Sequence, residues 1–310
     1  MIVCCGEALI DMLPGALADG NIGFAVHPGG AALNTAIALG RLGSTVGLFA
    51  GVSTDLFGKR LTCALEESHV TTKFLVRSER PTTLAFVELS NGDAQYAFYD
   101  ENTAGRMLTP DDLPDLTGVD ALLFGGISLV EEPCGSTFEA LMERETSRCV
   151  TMIDLNIRPS FIQDESAYRM RIDHMVSMVD IVKVSDEDLQ WLDGSTDSES
   201  MAKSLLEKGP KLVCLTQGSK GVTAYSRNEN IHVPAQNVAV ADTVGAGDTF
   251  NAGMLAELQS SGALTKKHIA NLKPAEIEAA LTLGVLAAAI TVSRAGSNPP
   301  WRKELPRCAP

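Results

Sequence analysis

The sequence predicts an α/β fold: a doubly wound, mostly parallel central sheet flanked by helices, with a small β-sheet lid. Three observations predict it. Short, continuously apolar runs alternate with segments of helical spacing through most of the chain, the pattern of strands buried on both faces and joined by helices. One stretch, 82–101, breaks the rhythm with two strand-like runs around Asn91-Gly92-Asp93, a hairpin signal. Two glycine turns, at 28–30 and 245–247, each run straight into a helix, and sheets of this class bind ligands at the C-terminal ends of their strands.

The elements follow in chain order. "MIVCCGEALIDML" (1–13) is apolar but carries Glu7, Asp11 and no basic start, so it reads as a buried strand and not a signal peptide. Residues 12–27, rich in Gly and Ala, are poor helix material and join 82–105 in the lid. "PGGAALNTAIALGRLG" (28–43) is a turn and a small-residue helix. "STDLFGKR" (53–60) lacks the first glycine and the final Ser/Thr of a P-loop and reads as a helix start. The runs 119–127, 148–156, 180–185 and 211–218 read as buried strands, and 134–147, 164–177 and 196–208 as helices. "QNVAVADTV" (236–244) reads as a strand leading into Gly245-Ala246-Gly247. The helix beyond it puts Phe250, Met254, Leu255 and Leu258 on one face. A long apolar helix follows residue 273, whose longest apolar stretch, 281–293, is too short to span a membrane. No linker or repeat divides the chain, so residues 1–310 read as one domain with a lid built from about 12–27 and 82–105.

Composition narrows the function. The chain is 45% apolar, enough for a sizeable core, and its net charge of -14 argues against binding nucleic acid or an anionic membrane. Seven cysteines stand at 4, 5, 63, 134, 149, 214 and 308, with no Cys-x-x-Cys pair and no zinc spacing, which suits a reducing cytoplasm.

The turn at 245–247 carries the chemistry. Bare amides at a helix N-terminus, backed by the helix dipole, make an anion site. Phe250 occupies the third glycine position of a dinucleotide fingerprint, which excludes that motif. Asp248 either just suits the helix dipole or acts as a general base beside a bound phosphoryl group.

At this point the sequence resembles the ribokinase-like, PfkB-type carbohydrate kinases, and fructokinases most of all. Gly29, Gly30, Asn34, Ala36 and Gly43 resemble the family's first signature, with Ser53 a departure where a glycine is usual. "DTVGAGDTFNAGML" (242–255) matches the second throughout, and two signatures about 200 residues apart are far more specific than one. "GEALIDMLP", "DLNIR", "KVSDEDLQWL", "LTQGSKGV" and the C-terminal "SRAGSNPPWRKEL" extend the resemblance over nearly the whole chain.

The resemblance implies an ATP-dependent sugar kinase, with fructose as substrate. The alternatives are a 2-keto-3-deoxygluconate kinase and an idle sugar-binding regulatory protein. It implies that Asp248 is the base and that the Gly245, Ala246 and Gly247 amides hold the phosphoryl group. Asp11, Gly29, Gly30, Asn34, Phe98 and Arg158 would bind substrate; Asn156, Ser185, Thr216, Gly218 and Gly221 would join Gly245 and Gly247 around the nucleotide. Asp188 would reach Mg²⁺ through water. Asp242 would help a K⁺-like cation, although Pro300 replaces a serine contact of some relatives. The lid is also a candidate surface for a homodimer. The aromatics Phe98 and Tyr99 are followed by Asp100 and Glu101, and Arg106 is the only cation between 81 and 110. That favours a neutral sugar over an acidic one.

Overall fold

The computed structural model describes residues 1–17, 19–90, 93–194 and 197–306. The chain enters with β1 (Ile2–Cys5), β2 (Leu9–Ala16) and β3 (Ile22–Gly29), then α1 (Ala31–Arg41), β4 (Val46–Ser53), α2 (Leu56–Glu67) and β5 (Leu75–Ser78). The strands β6 (Leu84–Ser90) and β7 (Asp93–Tyr99) come next. An alternating stretch follows: β8 (Ala121–Gly125), α3 (Cys134–Glu145), β9 (Val150–Asp154), α4 (Glu165–Met178), β10 (Ile181–Ser185), α5 (Asp186–Asp193), α6 (Ser198–Glu207) and β11 (Leu212–Thr216). The chain closes with β12 (Val222–Ser226), β13 (Asn230–Val233), α7 (Ala246–Ser260), α8 (Lys266–Ile269) and α9 (Pro274–Val292).

Nine strands make one sheet in the order β13-β12-β11-β10-β9-β8-β1-β4-β5. All its pairings are parallel except β11–β12 and β12–β13. The central strands are apolar on both faces because both are covered. Leu123 and Met152 face the core shared with α1, α7 and α9, whereas Leu122, Phe124 and Ile153 face the core shared with α3 and α4. Parallel pairing brings the C-terminal ends of β1, β9, β10 and β11 to one edge.

A second, four-stranded sheet has the order β3-β2-β6-β7. It takes in most of 12–27 and 82–101, the segments expected to break the rhythm. Asn91 and Gly92 of the expected hairpin turn lie outside the described residues, but Ser90 pairs with Asp93 antiparallel. The apolar N-terminal run is two strands, one in each sheet: β1 ends at Cys5 and β2 begins at Leu9. A Cβ on Gly6 would sit 2.9 Å from the Ala32 Cβ at this crossing.

Two expectations are corrected. Residues 236–244 form no strand; Val238, Val240 and Val244 are exposed, and apolar alternation without a neighbouring strand edge makes no ladder. The stretch 281–293 is part of the expected long helix after residue 273, and the whole of α9, at 19 residues and mean hydropathy 1.7, is long and apolar enough to cross a membrane. Here α9 instead packs along α7, with Ile277, Leu281 and Ala287 buried. The two helices meet backbone to backbone: a Cβ on Gly253 would lie 2.7 Å from the Gly284 Cα. "STDLFGKR" is a helix start, with the Asp55 side chain accepting from the Phe57 and Gly58 amides.

Candidate active site

A cavity of ≈ 270 Å³ opens at the C-terminal edge of the large sheet, between the beginnings of α1 and α7 and the small sheet. Gly245, with φ 76°, caps α7 with no side-chain hydrogen bond to the helix. A Cβ there would come within 2.3 Å of the Ser297 hydroxyl oxygen. The Ala246 amide donates to the Thr243 carbonyl at 3.2 Å and the Thr249 amide to Gly245 at 2.9 Å. Among the described residues nothing accepts from the amides of Gly247 and Asp248. Two unfilled amides at a helix N-terminus are a ready anion site.

Asp248 stands beside them, buried, and the Asn34 side-chain amide donates to its Oδ2 at 2.9 Å. Burial pushes its carboxyl up to about 7; the Asn34 hydrogen bond opposes that, and so does Lys183, while Asp154 and Glu7 add to it. A carboxyl balanced near neutrality is suited to taking up and returning a proton.

The other glycine turn is built differently. Gly30, with φ 104°, precedes α1, and here a buried carboxylate takes the first amide of the helix, while the Ala32 and Leu33 amides, like those of Gly247 and Asp248, meet no acceptor among the described residues. Glu7 accepts the Ala31 amide at 2.8 Å and the Ser128 amide at 3.3 Å. Burial pushes the Glu7 carboxyl up, and these amides hold it down in part. A Cβ on Gly29 would lie 2.0 Å from the Asp11 Oδ2, so the glycine leaves room for that carboxylate. Burial and the Glu7 charge push Asp11 up to about 6. Phe98 closes this end, edge-on to Phe161 with centroids 4.8 Å apart.

Arg158 lines the cavity with Asn156 and makes no ion pair among the described residues. Its Nη1 donates to the Ile157 carbonyl at 3.0 Å. The structure thus brings together Asp11, Gly30, Asn34, Phe98, Asn156, Arg158 and Gly245 to Asp248 around one space. Ser185, Asp188, Thr216, Gly218, Gly221 and Asp242 lie outside its lining. Ser185 and Thr216 end the neighbouring strands β10 and β11. Gly218 (φ 53°) and Gly221 (φ 100°) turn the chain between β11 and β12. Asp188 is buried and accepts the Ile157 amide at 2.8 Å and the Ser185 amide at 2.9 Å. Asp242 accepts from the Val244 and Gly296 amides, tying the turn before α7 to the chain after α9.

Sequence reasoning missed four side chains. Glu7 was read only as a polar break in a strand. Asp154, Lys183 and Asn251 form a buried cluster: the Lys183 Nζ donates to Asp154 at 3.0 Å and the Asn251 side-chain amide donates to its other oxygen at 2.6 Å. The available signal was a lysine and an aspartate in strands that are mostly apolar.

Comparison with known proteins agrees with this geometry. Residues 1–304 match the family described as pfkB family carbohydrate kinase. A fructokinase of Rhizobium leguminosarum bv. trifolii is 50% identical over 273 residues, covering 88% of this chain and 84% of that protein. A fructokinase of Klebsiella pneumoniae is 34% identical, covering 97% of both. The crystal structure of a Xylella fastidiosa fructokinase with bound ATP superposes with a TM-score of 0.86 at 28% identity, covering 96% of this chain and 93% of that one.

Proposed function

This chain belongs to the pfkB family of carbohydrate kinases, and we propose that it transfers the γ-phosphoryl group of ATP to the 6-hydroxyl of D-fructose. The observation that carries the proposal is the pair of open amides at Gly247 and Asp248 beside the buried Asp248 carboxylate. Phosphoryl transfer asks mainly for positioning and charge stabilisation. Asp11, Asn34 and Gly30 hold the sugar, Asp248 takes the proton of its 6-hydroxyl, and the amides and Arg158 receive the negative charge of the moving group. ATP approaches over Asn156, Ser185, Thr216 and the Gly218–Gly221 turn. Mg²⁺ supplies charge neutralisation on the phosphates when bound. Asp188 spends one lone pair of each oxygen on an amide, so its contact with a hydrated ion passes through water. Asp242 is the side chain placed to serve a K⁺-like cation near the turn.

The preference for fructose rests on charge. Glu7 and Asp11 line the sugar end, and Arg106 is already paired with Asp100 at 3.4 Å and Glu131 at 2.8 Å. A sugar acid would meet two carboxyls there and no free arginine from that segment. The chain works as one domain with the small sheet as lid. Ile22, Phe24 and Tyr99 on that sheet are exposed, which supports a homodimer joined through it. The six described cysteines are unpaired, consistent with a cytoplasmic enzyme acting on sugar and ATP and not on nucleic acid or membrane.

The test is a sugar panel with Mg·ATP in which ADP release is measured, fructose competes against 2-keto-3-deoxygluconate, and the phosphorylated carbon is identified by NMR. Higher kcat/KM for the keto-acid would overturn the substrate assignment. No turnover on any sugar would favour the idle binder.

A further inference from the structure

Lys183 is a charged side chain in the middle of the core. It sits on β10, 5% exposed, between strands that are mostly apolar. Its ammonium is held by Asp154, and Asp154 is held in turn by Asn251 of α7, one helical turn beyond Asp248. The ammonium also touches the phosphoryl turn. A Cβ built on Gly247 would lie 3.2 Å from the Lys183 Nζ. Gly247 has no positive φ, so its backbone conformation would admit a side chain; the space beside it is taken by the ammonium. Lys183 is absent from the cavity lining, whereas Gly247 is part of it.

We propose that Lys183 is a positioning residue for phosphoryl transfer, its ammonium placing a fixed positive charge against the back of the Gly245–Gly247 turn. The inference rests on the reading of Asp248 as the base. The reason is electrostatic. A charge fixed in a dry, low-dielectric setting acts across one peptide unit with little screening and needs no reorganisation when negative charge develops in front of it. Asp154 fixes the ammonium, and the pair keeps a dipole whose positive end is the nearer to Gly247: within 4 Å a Cβ there would meet Lys183 and no atom of Asp154. The Asn251 Oδ1 is buried with no partner, so this side chain is committed to Asp154 through its amide alone.

The charged and titratable groups around this centre are few. Asp248 feels Asp154 from β9, Lys183 from β10, Glu7 from the crossing after β1, and Asn34 from α1 as a neutral donor. Cys4 of β1 feels Asp248 in return. Lys183 feels Asp154, Asp188 and Asp248, and the buried Cys214 of β11 feels Lys183.

Two variants test the proposal, with Asp248→Asn run beside them. Lys183→Met/Asp154→Asn removes both charges at nearly constant volume, so it leaves no unpaired ion in the core. We expect it to keep the sugar and ATP KM values and to lose kcat about 10²-fold, the low end of the loss of one donor to developing charge. Asp154→Asn alone leaves the ammonium uncompensated. Its acid limb of kcat/KM should lie at lower pH than that of the double variant, because only the single variant leaves the base facing a net positive neighbour. A lysine that serves only to neutralise Asp154 would give the double variant wild-type kcat and place its acid limb together with that of Asp154→Asn, because the loss of the Asp154 charge is common to both. Either result overturns the proposal. If Asp248→Asn also keeps its turnover, the role of Asp248 itself falls; if Asp248→Asn is inactive, only the role of Lys183 does.

Discussion

The N-termini of α1 and α7 look alike in sequence and differ in what they hold. Both follow a glycine of positive φ, and neither is capped by the side chain of its N-cap residue. The Ala31 amide at α1 is taken by Glu7 from the crossing between the two sheets. At α7 the Gly247 and Asp248 amides meet no acceptor among the described residues, and a buried ammonium lies behind them. The Ala32 and Leu33 amides of α1 are equally open among the described residues, so the difference is one of charge: a glycine turn before a helix favours an anion where no internal carboxylate already sits against its first amide. At α1 the Glu7 carboxylate holds that place, and the turn leaves room for a second carboxyl, Asp11, over Gly29.

The comparison can be broken at α7 first. Asp248→Asn keeps the turn and removes the base, so kcat should fall by about 10²–10⁴ with ATP binding retained. Turnover within a few-fold of wild type, measured by coupled ADP release, would remove Asp248 from the chemistry. At the sugar end, Asp11→Ala should cost about 1.5–3 kcal/mol of sugar binding and leave nucleotide binding alone. Separate titrations of the two ligands check this, and equal weakening of both would mean that Asp11 supports the fold instead.

Glu7→Gln sharpens the contrast. Glutamine keeps the acceptor for one amide and turns an NH₂ group toward the other. The result should be a stability loss of about 1–3 kcal/mol from the unsatisfied buried donor, read by denaturant unfolding. The kcat should fall far less than in Asp248→Asn. A collapse of kcat equal to that of Asp248→Asn would place the phosphoryl group at α1. The smallest effect is in pH. With its carboxyl near 7, the free enzyme should lose kcat/KM as pH falls through about 7, because a protonated Asp248 cannot accept the hydroxyl proton. Asn34 donates to the charged form and lowers that value, so Asn34→Ala should move the limb to higher pH. An unmoved limb in the pH–rate profile would mean that another group titrates.

Much of this was legible in the sequence. The apolar runs gave the buried parallel strands because such strands need no alternation, and β8 to β11 all fall inside the segments expected for them. The second signature located the α7 turn because its chemistry is local: a bare backbone, a helix and a carboxylate within a few residues. What was hidden is long-range. Nothing near Glu7 says that it will accept the first amide of a helix beginning 24 residues later. Nothing near Asn34 says that it will bond Asp248, 214 residues away. The expected strand at 236–244 failed for a related reason: alternation gives a strand only where another strand offers an edge, and the β13 edge is not continued there.

The contact between Gly253 and Gly284 bears on tolerance. Where side chains separate two helices, a misfit can be absorbed by a change of rotamer; where backbone meets backbone it cannot. A Cβ on Gly284 would meet the Phe250 ring at 2.7 Å, and one on Gly253 would meet the Gly284 Cα at the same distance. Asp248 lies five residues from Gly253, about 7.5 Å along the same rod. A single methyl group added at either glycine must displace α7 or α9 as a body. The alignment of the α7 turn is thus gauged by two residues outside the cavity lining, and a defect there would surface as lost turnover in a protein whose cavity side chains are all intact.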